Sequence, residues 1–306
     1  MTRPDGGGAP GGPAPGAATG RRNRAGAGGA PARWWGVPTP GPARPDATCT
    51  IDDADDPRLA DYVGLTDPDL RRAAETAGGF FVAESPHVVR RLLGSSRTTR
   101  SVLVTPAQYD ALRDVLDGAP CPVYVAPAAV LRRVVGFDLH RGAVASAQRW
   151  ELPAPSTVLR AAHRVIVGEG LNDHENLGVL FRNAAALGAD AVLLDGSCAD
   201  PLYRRCVRVS IGHVCTVPWT RIESPAELAG FTTVALTPDA GAADIAAYRW
   251  PERVALLVGA EGPGLSAAWL AAADERARIP MPPGVDSLNV ATAAAIALYE
   301  SRRALG

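Results

Sequence analysis

The sequence predicts an α/β protein in which a parallel sheet covered on both faces forms the C-terminal half and a smaller α/β domain precedes it. Three observations predict this. After residue 160, short Val/Ile/Leu-rich runs recur, each followed by a helix-like stretch, which is the pattern of a buried parallel sheet. Between residues 52 and 148 a strand-then-helix unit occurs twice with short connections, as in a small α/β domain. The 306 residues, 47% apolar and 21% charged, suffice for two compact cores.

Residues 1–45 are dominated by Gly, Pro and Ala, with Arg21, Arg22, Arg24, Arg33 and Arg44 among the few charges and Asp5 the single acid. Such a composition cannot bury enough apolar surface to offset ordering entropy, so a disordered basic tail is expected. Over 52–148 the pattern predicts a helix Pro86–Leu93, a strand Ser101–Thr105 and a helix Ala107–Leu116. The second copy is a strand Pro122–Ala126 and a helix Ala128–Val135. The stretch from Arg141 to Arg160, with Pro153 and Pro155, reads as connecting chain, the linker proper being 149–160.

Residues 161–306 carry predicted strands at Arg164–Val167, Ala191–Leu194, His213–Val217, Thr233–Leu236, Arg253–Val258 and Ala277–Ile279. A helix from about Leu177 to Leu187 has Asn172 or Asp173 as its start signal and Gly188 as its stop; the last helix runs from about Leu288 to Ala304.

A formal net charge of -1 excludes a protein that binds nucleic acid through overall charge, so any such site must be a local patch. The 31 basic residues are all Arg, which grips phosphate bidentately, although codon bias explains the missing lysines as well. Five cysteines without a CxxC pair, and the dispersed His87, His140, His163, His174 and His213, give no zinc or disulfide signature; no metal is expected. No apolar run reaches the roughly 18 residues of a membrane span, and the start lacks the order of a signal peptide. A cytoplasmic protein without a membrane partner is expected.

Ligands of parallel α/β sheets sit beyond the carboxyl ends of the strands, and three segments there stand out. The first, His174 to Asn183, opens a helix whose apolar stripe Leu177, Leu180, Ala184 and Leu187 leaves Arg182 and Asn183 off the core face. Alone, an off-stripe arginine is an ordinary solvated charge, and Asn176 simply a helix-start residue. The second, Val258 to Leu265, is Gly-rich and runs from strand to helix; its glycine order is wrong for a dinucleotide fingerprint, and Glu261 repels a pyrophosphate. A neutral or cationic ligand fits it better. The third, Ile279 to Val290, is a proline-stiffened loop bent at Gly284 that delivers Ser287 and Asn289 to a strand end, as a preorganised wall would. Ser287 or Asp286 could alternatively just cap the last helix.

Together these segments resemble the three signature motifs of the SpoU (TrmH-like) RNA ribose 2′-O-methyltransferases of the SPOUT superfamily. Gly-Ala-Glu-Gly-Pro-Gly-Leu-Ser at 259–266, Ile-Pro-Met at 279–281 and Ser-Leu-Asn-Val-Ala at 287–291 carry the likeness. The resemblance implies a C-terminal parallel-sheet domain with a deep trefoil knot, an exception to the rule against threaded chains. It implies S-adenosylmethionine (SAM) as cofactor, held around Leu257, Gly259, Gly264, Ile279, Met281, Ser287 and Leu288. Arg182, Asn176, Glu261, Ser287 and Asn289 would form the reactive wall, in a homodimer whose partner completes the pocket beside Asn176 and Arg182.

Residues 66–140, opening with Gly79-Phe80-Phe81-Val82-Ala83-Glu84-Ser85, resemble the substrate-binding domain of such enzymes, related in fold to a ribosomal protein that binds RNA kinks. Arg90, Arg91, Arg97 and Arg100 are its candidate phosphate patch. The implied reaction is methylation of a ribose 2′-hydroxyl, in ribosomal RNA in preference to transfer RNA. Arg182 would act as base or as stabiliser of the developing alkoxide, while Ser287 and Asn289 orient ribose and cofactor. Two other classes compete. A Rossmann oxidoreductase lacks its fingerprint glycines here. A knotted RNA-binding protein without catalysis would have lost Arg182 or Asn289, and both are present.

Overall fold

The computed structural model describes residues 48–305 except 67, 140 and 141, with the side chains of 68–70 and 305 left aside. The expected tail therefore lies outside the described residues. The first sheet is built from β1 (Thr48–Thr50), β2 (Phe80–Glu84), β3 (Thr99–Val104), β4 (Val123–Val125) and β5 (Ala143–Gln148) in the order β1-β4-β3-β5-β2. Helices α1 (Pro68–Ala77), α2 (Pro86–Leu93), α3 (Pro106–Ala111), α4 (Arg113–Leu116) and α5 (Ala128–Val135) lie between these strands in the chain.

Two expectations for this half are corrected. The chain between 143 and 148, read as connecting segment, is a buried strand paired antiparallel with both β2 and β3. Its sequence, Ala-Val-Ala-Ser-Ala-Gln, has the small residues that fit between two neighbours but little of the bulk that marks a strand. The helix expected over Ala107–Leu116 is interrupted at Leu112, whose φ of -113° and ψ of 10° leave the helical region.

The second half contains α6 (Pro155–Leu159), β6 (Arg164–Gly168), α7 (His174–Leu187), β7 (Ala191–Leu194), α8 (Arg204–Val209), β8 (Trp219–Arg221), β9 (Thr232–Leu236), β10 (Ala243–Asp244), β11 (Val254–Val258), α9 (Ala267–Ala272), β12 (Glu275–Arg278) and α10 (Val290–Leu305). Its seven strands run β10-β12-β9-β11-β6-β7-β8, and every pair is parallel. Alternate residues of β11 serve opposite faces: Val254, Leu256 and Val258 join the core under α7 and α10, whereas Ala255 and Leu257 pack with Leu265 and Trp269 on the other side. The first of these cores continues into the other sheet through Phe81, Val88 and Leu92.

The expected start and stop of α7 are present. Asp173 accepts from the amides of Glu175 at 2.6 Å and Asn176 at 2.9 Å, and Gly188 ends the helix at a φ of 77°. The strand expected at His213–Val217 is instead a 3-10 turn over His213–Cys215, and the strand falls later, at Trp219–Arg221. Its Val and Cys are apolar because the turn is buried against α7, a burial that periodicity cannot distinguish from that of a strand. Cys121, Cys198 and Cys215 are pushed up to about 12 by burial and are unreactive thiols.

Candidate active site

Four strand ends and two helix starts build the site. At the end of β6, the amide of Glu169 donates to the Val258 carbonyl at 2.9 Å, and the Glu169 carboxylate accepts from Ser266 N at 2.7 Å. The loop after β11 is thereby held at both ends. Within it, Gly264 N donates to the Ala260 carbonyl at 2.9 Å, and Gly262 and Gly264 take φ of 92° and 71°. Gly259 is required for a different reason: a Cβ there would lie 2.1 Å from the Gly264 carbonyl carbon and 2.2 Å from Leu265 N. The loop folds back on its own backbone, so that Glu261 projects from its tip.

Asn289 gathers the three sequence segments into one place. Its Oδ1 accepts from Ala291 N at 3.0 Å and Thr292 N at 3.2 Å, capping α10. The cap fixes the amide orientation, leaving Nδ2 to donate to Asn176 Oδ1 at 2.7 Å and Glu261 Oε1 at 3.0 Å. Asn289, and not Ser287 or Asp286, is thus the cap, and the helix starts two residues later than expected. Asn183, expected off the core face, is partly buried and donates from Nδ2 to the Ala291 carbonyl at 2.8 Å, which fixes α7 against α10.

These elements enclose a cleft of about 830 Å³ beyond the carboxyl ends of β9, β11 and β12. Of the residues singled out from sequence, Gly259, Glu261, Gly264, Ile279, Met281, Ser287, Leu288 and Asn289 all line it. Leu257 does not, because its side chain is on the opposite face of β11, fully buried beside Trp269. Asn176 reaches the cleft only through Asn289. Leu236, Thr237 and Pro238 at the end of β9 also line the wall; their position beside β11 in the sheet was the signal that could have found them.

Arg182 stands apart. It is exposed, lies six residues beyond Asn176 on α7 and so faces about 120° away from it. Its charge bears instead on Arg91 and His213. Burial, reinforced by Arg91 and Arg182, holds the His213 imidazole down at about 4. Among the described residues no group of three or more His, Cys, Asp or Glu side chains is arranged to hold a metal, and no helix is long and apolar enough to cross a membrane. A second cavity, about 120 Å³ beside Thr105 and Leu131 in the first sheet, is too small for a nucleotide-sized ligand.

Residues 163–299 match the SpoU rRNA methylase family. An uncharacterised tRNA/rRNA methyltransferase of Mycobacterium bovis is 49% identical over 261 residues, covering 82% of this chain and 90% of its own. A 23S rRNA (guanosine(2553)-2′-O)-methyltransferase of Bacillus subtilis is 28% identical over 264 residues, 82% of this chain and 98% of its own. In fold, the chain is similar to an AdoMet-bound rRNA methyltransferase from Sinorhizobium meliloti, with a TM-score of 0.71 at 24% identity over 84% of this chain and 98% of that one. The chain belongs to the SpoU rRNA methylase family.

Proposed function

We propose that this protein transfers a methyl group from SAM to a ribose 2′-hydroxyl of ribosomal RNA. The observation that carries this reading is the hub at Asn289, which joins α7, the Glu261 loop and the start of α10 around one cleft at the strand ends. The relative named as a 23S rRNA 2′-O-methyltransferase, aligned over 82% of this chain, supports the RNA and the atom modified. A tRNA substrate is the second reading, favoured by the tRNA/rRNA name of the Mycobacterium bovis relative.

The cleft fits the cofactor. Its volume is in the range of small-molecule sites, its wall joins apolar Leu236, Ile279, Met281 and Leu288 to bare backbone at Gly259, and it carries a carboxylate at Glu261 that suits a cation and repels a pyrophosphate. When bound, SAM supplies a methyl group made electrophilic by its sulfonium. The chain's part is to bind, orient and manage charge. Asn289, locked by its cap and by Asn176, holds Glu261 in place, and Ser287 on the same wall offers a hydroxyl to orient the ribose. The favoured role of Arg182 is to stabilise the alkoxide that develops on the 2′-oxygen as its proton passes to the adjacent RNA phosphate.

Because Arg182 faces away from the cleft of its own chain, we further propose that the enzyme acts as a homodimer in which Arg182 serves the partner's cleft. Exposed Leu288 and Val285 beside the cleft, and Tyr299 on α10, supply apolar surface for such a contact. The same reading includes a deep trefoil knot formed as the chain passes from β12 to α10, a cytoplasmic location, and residues 52–148 as the RNA-binding domain. Calorimetry with SAM and with NADH tests the cofactor assignment: micromolar binding of SAM alone is expected, and binding of NADH alone would return the chain to the oxidoreductases.

A further inference from the structure

The four arginines that the sequence suggests as a phosphate patch are divided by the structure. Arg90 pairs with Asp114, and Arg100 with Asp61 at 3.0 Å, so both are already neutralised. Arg91 and Arg97 have no carboxylate partner among the described residues; each donates instead to a backbone carbonyl of the turn after α8. Arg91 donates to Ile211, and Arg97 to Cys215 at 3.3 Å with its guanidinium 3.7 Å from the Trp150 ring centre.

That turn is unusual. Ile211 and Gly212 both adopt left-handed backbone, with φ of 52° and 75°, and Ile is a residue that avoids it. A Cβ on Gly212 would meet Val88 at 3.3 Å and the Arg91 Cβ at 3.5 Å, so α2 of the first sheet lies directly on the turn. The chain continues into the 3-10 turn His213–Cys215, which as a whole packs against α7, the helix that bears Arg182. Arg182 likewise has no acid partner among the described residues. In a protein that pairs Arg149 with Asp200 and Arg204 with Glu84, two guanidiniums and an imidazole have been left facing one another without a carboxylate. The His213 imidazole, held down at about 4, is neutral at pH 7, so the uncompensated charge is that of the two guanidiniums, and an anion from outside offsets it.

We propose that Arg91, Arg182 and His213 form a composite site for a backbone phosphate of the RNA substrate, with Arg97 extending it, so that α2 contributes a guanidinium to the site of the reactive one. This rests on the methyltransferase reading. It makes the strained turn a bracket: Ile211 is held where its carbonyl fixes Arg91, and Arg91 in turn is aimed at the phosphate that flanks the target ribose.

The test uses the full-length chain, a fluorescent 23S rRNA transcript for affinity and calorimetry for SAM. Arg91→Met, which keeps the aliphatic stem, is expected to weaken RNA binding roughly tenfold and to reduce the slope of log affinity against log salt by roughly 0.7, the share of one single-strand phosphate contact. SAM affinity should be unchanged. Arg91→Lys should restore most of the loss. Arg91→Met with wild-type affinity and wild-type salt slope overturns the proposal. If Arg91→Met does not fold, His213→Glu decides: its carboxylate occupies the place of the phosphate, so RNA affinity should fall at least tenfold with SAM binding intact, and unchanged RNA affinity refutes the site. Wild-type protein that binds no SAM, yet loses RNA affinity in Arg91→Met, would sink the methyltransferase reading and leave the phosphate site standing.

Discussion

Replacing Gly259 with alanine tests how far the cofactor cleft depends on one missing atom. The added Cβ would lie 2.1 Å from the carbonyl carbon of Gly264, 2.2 Å from Leu265 N and 2.4 Å from the Gly264 oxygen. Carbon atoms rest at about 3.5 Å or more, so the backbone of residues 264–265 must withdraw by more than an ångström. No side chain can turn aside, since all three contacts are main chain. Overpacking of this kind costs about 1–3 kcal/mol. The functional loss should be larger than the stability loss suggests, because the displaced residues 264–265 close the loop that carries Glu261 and themselves line the cleft; a misplacement of about 1 Å is worth roughly a hundredfold. Gly264→Ala is the comparison: nothing lies within 4 Å of its Cβ, and its φ of 71° adds only a local backbone cost, about 1–2 kcal/mol. Urea denaturation and SAM calorimetry on both variants give the answer. Gly259→Ala with stability within about 0.5 kcal/mol of wild type and unaltered SAM affinity would refute the close-approach argument.

Asn289→Asp keeps the α10 cap, since aspartate caps as well as asparagine, but turns the donor to Asn176 and Glu261 into a second carboxylate facing Glu261. SAM affinity should fall at least tenfold while the melting temperature changes little, and Asn289→Ala should lose both; equal behaviour of the two variants would contradict the hub. His213, held at about 4 in the fold, takes up its proton more readily when unfolded, near its ordinary 6.5. The unfolded state therefore binds more protons between those values, and stability should decline as pH falls from about 6.5 to about 4. His213→Gln should flatten that decline in denaturation curves. Arg182→Met should raise the His213 value seen by NMR only in part, because burial is the larger cause; no movement at all would remove Arg182 from its neighbourhood.

Much of the fold was legible because apolar runs such as Val254–Val258 are buried on both sides and bear no polar alternation. The glycine chemistry of 259–264 was equally visible, since residues chosen for backbone geometry are local features, whereas the cap of α10 was expected at Ser287 or Asp286 and falls at Asn289. What the sequence hid was tertiary. The strand Ala143–Gln148 is made of small residues, and the apolar His213–Cys215 turn imitates a strand. The opposite sides of Leu257 and of Arg182 were invisible for a related reason. A fully buried strand offers no polar residue to say which face meets the cleft, and an exposed helix arginine carries no mark of what it faces. Likewise, only the packed structure separates Arg90 and Arg100, each consumed by an aspartate, from Arg91 and Arg97.

The most direct measurement is transfer of radiolabelled methyl from SAM to unmodified ribosomal RNA, followed by digestion to nucleosides, with wild type and Arg182→Ala side by side. The account predicts label in 2′-O-methylnucleosides with wild type and a loss of at least a hundredfold in the variant. Label in a base, or full activity of Arg182→Ala, would contradict it.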